Sequence, residues 1–271
     1  MAHPQIAIFA RLADGDANPV RKIEGQKTLL GRTMHAIAYD EIHDEFIVPQ
    51  QFAQAILTFA GDANGQVPPK RVIQGSKSRL RDPDRLGLDP VHNEIYVPQD
   101  DYLLIFDRRA EGDVAPLRVI EGPDTGLGAS AVGADPSRNL IIVAGSGFLS
   151  PGERGTVFRI FDRMADGNVK PKMEVKGPDA MGGPFAVYPN KQYILATNRP
   201  TGGALSGPVS YLGVWSYANG GSDEPVYRIG GPNGVFQMPR GVTLDAKNKN
   251  IIASDKRLNA VLTFSFPELF D

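Results

Sequence analysis

The polar side chains with the most chemical reach recur at regular stations. His35, Asp84 with Arg85, and Arg240 each precede a short apolar run, while Gln50, Gln99 with Asp100, Asn198 with Arg199, and Asp255 each follow one. Together they supply amides, carboxylates and guanidiniums. Arginine forks match the paired oxygens of a carboxylate or phosphate, so the set suits a small polar or anionic ligand. Asp84, Asp100, Asn198 and Asp255 are hard oxygen donors of the kind that hold Ca2+ or Mg2+, and they are the metal candidates under a second, hydrolytic reading. Of the four histidines, His35 is the one placed to act as a base, because His3 is terminal and His43 and His92 fall in polar turns. No complete catalytic constellation accompanies these residues: Gly-rich phosphate loops, Gly-x-Ser-x-Gly elbows and His-Glu-x-x-His pairs do not occur. Asp14-Gly15-Asp16 begins like a calcium loop but lacks the later glutamate, and it reads as a hairpin turn. With no cysteine, disulfides, thiolate metal sites and cysteine nucleophiles are excluded.

A repeat sets these stations. Six times a β-branched and apolar run closes on an aromatic, at Phe9, Phe59, Phe106, Phe161, Trp215 and Phe264, with steps of 50, 47, 55, 54 and 49 residues. A polar hairpin and a proline follow most of them, and then a short strand that ends at Gly25, Gly75, Gly122, Gly177 or Gly230. The other half of the unit is a strand ending at Asp40, Asp89, Asp135, Tyr188 or Asp245, a tight polar turn, and a second strand. Four short antiparallel strands in about 50 residues, with no helical periodicity, predict an all-β fold: a β-propeller of four-stranded antiparallel blades.

The innermost strand occurs five times, which favours five blades in a single domain over residues 1–271; a six-bladed ring with residues 6–25 as an incomplete first blade is the alternative. The N-terminal strands are expected to complete the C-terminal blade, leaving no open sheet edge. Inner strands alternate large residues (Ile37, Leu86, Val132, Phe185, Val242) with small ones (Ala38, Gly87, Gly133, Ala186, Thr243), as sheets crowded round an axis require. In such a meander the loop between second and third strands and the loop into the next blade share one face. The ten polar stations fall there, with Ser130 and Gly183 at the positions equivalent to His35. So do two long glycine-rich segments, 145–155 and 198–210, expected as loops.

The blocks Arg240-Gly241-Val242-Thr243-Leu244-Asp245 to Ile251-Ile252-Ala253-Ser254-Asp255, and Leu86-Gly87-Leu88-Asp89-Pro90 to Asn93-Glu94-Ile95-Tyr96-Val97, resemble the repeats of NHL-type and YVTN-type bacterial propellers. The resemblance covers nearly the whole chain and implies a fold, since its residues are packing and turn positions. Gluconolactonase-type propellers with similar repeats hold a divalent ion, and streptogramin-lyase propellers use a histidine base. No glutamate falls at a predicted channel position here, and no residue matches the lactonase site one by one. The expected function is therefore a non-enzymatic binding or scaffold propeller that engages a partner protein or a small polar or anionic ligand at the channel mouth, with no cofactor. A metal-dependent hydrolase or lactonase is the rival. Lysine plus arginine (29) nearly balance aspartate plus glutamate (31), and the basic residues are dispersed, so nucleic acid is not an expected partner. Apolar runs are too short for a membrane span. Residues 1–20 lack the pattern of a secretory signal, which leaves a cytoplasmic location, or a periplasmic or extracellular one with the signal absent from this chain.

Overall fold

The structure is a computed structural model that describes residues 4–32, 34–177, 180–198, 210–231 and 233–271. A two-stranded ribbon, β1 (Gln5–Ile8) with β2 (Arg21–Glu24), precedes the first blade of β3 (Ala38–Asp40), β4 (Glu45–Gln50), β5 (Ala55–Ala60) and β6 (Arg71–Gln74). The second blade holds β7 (Gly87–Asp89), β8 (Glu94–Pro98), β9 (Tyr102–Asp107) and β10 (Arg118–Glu121). The third holds β11 (Ala129–Asp135), β12 (Leu140–Ser150), β13 (Glu153–Asp162) and β14 (Met173–Gly177). In the fourth are β15 (Ala180–Tyr188), β16 (Tyr193–Asn198), β17 (Tyr211–Ser216) and β18 (Tyr227–Gly230). The fifth has β19 (Pro239–Asp245), β20 (Asn250–Asp255) and β21 (Ala260–Ser265), followed by one helical turn, α1 (Pro267–Phe270). Each blade is an antiparallel meander, and the fold is the five-bladed β-propeller that the repeat predicts.

One expectation fails. β1 pairs with β2 in a sheet of their own, separate from the sheet of β19–β21. The reason lies in the repeat: β1 and β21 are both copies of the aromatic third strand, a four-stranded blade has one place for such a strand, and β1 finds its natural partner in the fourth-type strand β2.

The chain packs as two compact units, residues 1–99 with 104–117, and residues 100–103 with 118–271. In the first, the turn from inner to second strand is capped by the aspartate that ends the inner strand. Asp40 accepts the backbone N–H groups of Ile42 and His43 at 3.0 Å, and its second oxygen lies 2.8 Å from His43 Nδ1. Asp89 repeats the arrangement with His92. Each turn closes on a residue in the left-handed region, Asp44 or Asn93, whose carbonyl accepts the N–H of Gly61 or Arg108 after the third strand. Arg108 then reaches into the first blade, contacting Asp40 at 3.3 Å and also Glu45, which pairs in addition with Arg71 and, at 2.7 Å, with Lys70. Asp40, Glu45 and Arg108 are buried. Burial alone would raise the Glu45 carboxyl, but the hydrogen bonds and charges of Arg71 and Lys70 outweigh it and lower the pKa from 4.5 to about 2.

In the second unit, Asp135 caps the same turn through Arg138 N–H and Ser137, yet the reaching side chain is neutral: Tyr217 donates its hydroxyl to Asp135 Oδ2 at 2.8 Å. Burial and then the Asp135 contact push the Tyr217 phenol well above its ordinary range, so it remains a donor. Phe158, Phe185 and Trp215 form an aromatic core, with Phe158 edge-on to Phe185 at 5.4 Å. Gly133 lies against this core, where a Cβ would sit 2.8 Å from Val187 Cγ2 and 3.1 Å from Phe185 Cε2.

Gly133→Leu is therefore expected to lower stability by about 1–3 kcal/mol through overpacking; an unchanged melting temperature would show that the site has room. Because the folded Glu45 pKa is depressed, its contribution is complete above pH 4.5 and is lost as pH falls towards 2. Denaturant unfolding between pH 6 and 3 should show stability declining on the acid side, with a shallower decline in Glu45→Gln; equal slopes would remove Glu45 as a cause.

Candidate functional site

The connections that follow β2, β6 and β10 share a local grammar. A glycine with positive φ (Gly25 at 105°, Gly75 at 136°, Gly122 at 120°) opens a single 3-10 turn, a conformation that side-chain-bearing residues rarely adopt. Three residues on, the buried hydroxyls of Thr28, Ser78 and Thr125 donate to the carbonyls of those glycines at 2.6, 2.6 and 2.7 Å. They also accept the N–H groups of Leu30, Leu80 and Leu127. The sequence reading missed these hydroxyls, although the recurring Gly-x-x-Thr/Ser spacing in Gly25 to Thr28, Gly75 to Ser78 and Gly122 to Thr125 carries the signal.

Three sequence-predicted ligand residues hold these loops in place. Gln50 is buried and accepts the Gly31 N–H. Gln99, also buried, accepts Arg81 N–H at 2.7 Å and Asp82 N–H at 3.1 Å. Asp255, 2% exposed, accepts Gln237 and Met238 N–H at 2.8 Å on one oxygen and Arg257 and Leu258 N–H at 3.0 Å on the other. Burial acts to raise the Asp255 carboxyl, and the four backbone donors hold it below the ordinary carboxylate range.

The stations before the inner strands behave differently. In the first unit His35 Nδ1 contacts Asp84 Oδ1, and Arg85 lies 3.6 Å from the other Asp84 oxygen. The side chains of His35, Asp84 and Arg85 are 52%, 30% and 23% exposed, so solvent reaches all three. In the second unit Arg240 lies at a register shift between Pro239 and Gly241. Ser130 lies at the equivalent shift and donates to the Ala144 carbonyl. Such bulges re-aim side chains. Asp100 is exposed and left-handed, bridged through its backbone to Ala129. Arg199 and the side chain of Asn198 lie outside the described residues. The structure thus brings together His35, Asp84 and Arg85, and ties Gln50, Gln99 and Asp255 to loop backbone.

Segment 145–155 departs from the expected loop. β12 and β13 extend through it as a paired ladder from Gly145 opposite Val157 to Ser150 opposite Glu153, closed by Pro151-Gly152. Proline followed by glycine suits a tight turn, and the small residues at 145, 147 and 155 let the two strands pair across the whole length. Most of segment 198–210 lies outside the described residues. Within the second unit a cleft of about 460 Å³ is lined by Asp101, Tyr102, Glu121, Pro123, Thr125 and Leu127 among others. Among the described residues no three of His, Asp and Glu gather closely enough to hold a metal ion. Nor is any described helix long and apolar enough to cross a membrane.

No protein-family model matches the chain, and no curated protein matches it. Solved structures do. Hydrazine synthase from Kuenenia stuttgartiensis is similar with a TM-score of 0.57 at 14% identity, over 82% of this chain and 55% of that one. A 6-phosphogluconolactonase-like protein from Bacteroides uniformis is similar with a TM-score of 0.57 at 14% identity, over 93% of this chain and 71% of that one. The chain therefore spans about half the length of the hydrazine synthase chain. These likenesses show the fold alone.

The two kinds of station should separate on mutation. Asp255→Ala strands four backbone donors and is expected to cost about 1–3 kcal/mol. Asp84→Ala removes a solvent-screened contact and should change stability by under about 1 kcal/mol. Urea unfolding of both variants checks this, and equal effects would contradict the division.

Proposed function

We propose that the protein is a non-enzymatic binding propeller of NHL/YVTN-type repeats, engaging a partner protein or a small polar or anionic ligand through the face built by its inter-blade loops. One observation carries the reading: Asp255, one of the four residues on which a hydrolytic metal site would draw, is spent on loop backbone. A carboxylate that already accepts four N–H groups has little left to offer Ca2+ or Mg2+, and Asp84 is engaged by His35 and Arg85. What stays accessible is a polar, partly cationic cluster at His35, Asp84 and Arg85, whose chemistry suits recognition of an anion.

The lactonase-like neighbour keeps the hydrolase reading as the rival, on fold likeness only. Protein purified without chelator is expected to carry no stoichiometric divalent metal, to show no thermal shift with calcium, and to leave lactones intact. A single bound ion that is lost in the Asp84→Ala, Asp255→Ala double variant would overturn the binding reading.

A further inference from the structure

Positive charge is concentrated on one pair of loops in a chain whose formal net charge is -2. Residues 25–37 and 75–86, both in the first unit, carry Lys27, Arg32, Lys77, Arg79, Arg81 and Arg85 against Asp82 and Asp84. Asp113, whose carboxylate accepts Lys77 N–H at 2.7 Å, adds a third acid. All six cations except the half-buried Arg85 are exposed. The corresponding stretch 122–131 of the second unit has no cation at all.

The two loops are held side by side. His35 of the first contacts Asp84 of the second. The β4–β5 turn spans both: Gln50 receives Gly31 N–H from the first loop, and Gln54 Nε2 donates to the Arg81 carbonyl of the second at 3.0 Å. Gln74 Nε2 fastens the same turn by donating to the Ala53 carbonyl at 2.7 Å. At its tip Phe52 is 80% exposed, and Leu29 on the first loop is 56% exposed. Leu29 is also left-handed, at φ 59°, as the equivalent Arg79 is at 60°; the third connection has Gly126 there. A leucine kept in a conformation that favours glycine, with its side chain in water, is costly twice over.

We propose that these loops dock an acidic protein segment with interspersed apolar side chains, its carboxylates on the arginine and lysine cluster and its apolar groups against Phe52 and Leu29. This rests on the binding reading above and names the partner's chemistry. Arginine forks suit carboxylates, and two exposed apolar side chains beside them favour an amphipathic acidic chain over a uniformly charged one.

The test uses the full chain and three labelled probes: poly-L-glutamate, a random glutamate–tyrosine copolymer, and a single-stranded oligonucleotide of similar charge. The copolymer should bind at least about fivefold more tightly than poly-L-glutamate, and binding should weaken as salt rises from 50 to 300 mM. Phe52→Ser should abolish the preference between the two polypeptides. The triple variant Arg32→Glu, Lys77→Glu, Arg79→Glu should reduce copolymer binding by about tenfold or more. If that variant does not fold, the salt series and Phe52→Ser on their own decide. Equal binding of both polypeptides, indifference to charge reversal or salt, or tighter binding of the oligonucleotide would overturn the proposal. Any of these results with metal and lactone assays still negative would leave the broader binding reading standing.

Discussion

The blades depend on a turn that an L-residue does not make readily. Between inner and second strands the backbone passes through the left-handed region at Asp44, Asn93, Asn139, Gln192 and Lys249. In four of the five copies an aspartate at the end of the inner strand accepts N–H groups of the turn. In every copy the carbonyl of the left-handed residue then receives the N–H that follows the third strand. One strained residue thereby fixes the spacing of three strands, and the strain is offset because cap and carbonyl are both satisfied. The fourth copy, with Tyr188 in place of aspartate, has no side-chain cap and keeps two backbone bonds, Gln192 N–H to the Pro189 carbonyl and Tyr217 N–H to the Gln192 carbonyl.

What reaches across from that turn differs between the units. Arg108 brings a charge to two buried carboxylates and needs Arg71 and Lys70 nearby to balance them. Tyr217 brings a neutral hydroxyl to Asp135 and a ring to the aromatic core. A buried ion cluster gives up solvation for geometry, whereas a phenol gives up little.

The fold was legible because its determinants are local: hairpin glycines, capping aspartates and alternating strands repeat within short windows. Site chemistry was only partly legible. Gln50, Gln99 and Asp255 read as ligands because an oxygen that binds a solute and one that binds a backbone N–H come from the same residue types, and only three-dimensional placement separates them. His35 and Asp84, 49 residues apart in sequence, were recognisable as equivalent stations of adjacent repeats, although their contact was not. The partners of Arg108 stayed hidden because a cation 63 residues from Glu45 has no spacing rule. Segment 145–155 looked like a loop since its glycines break the apolar pattern without breaking strand pairing.

The closure of the connections that begin at Gly25, Gly75 and Gly122 is self-contained. Glycine, hydroxyl and the opening carbonyl lie within four consecutive residues, and a single side chain from the second strand, Gln50 or Gln99, fastens the far end. The two residues between glycine and hydroxyl, at 26–27, 76–77 and 123–124, are exposed. The exposed Lys27 and Lys77 can thus be exchanged to alter what the surface recognises while the backbone turns beneath them, set by Gly25 with Thr28 and by Gly75 with Ser78, stay still.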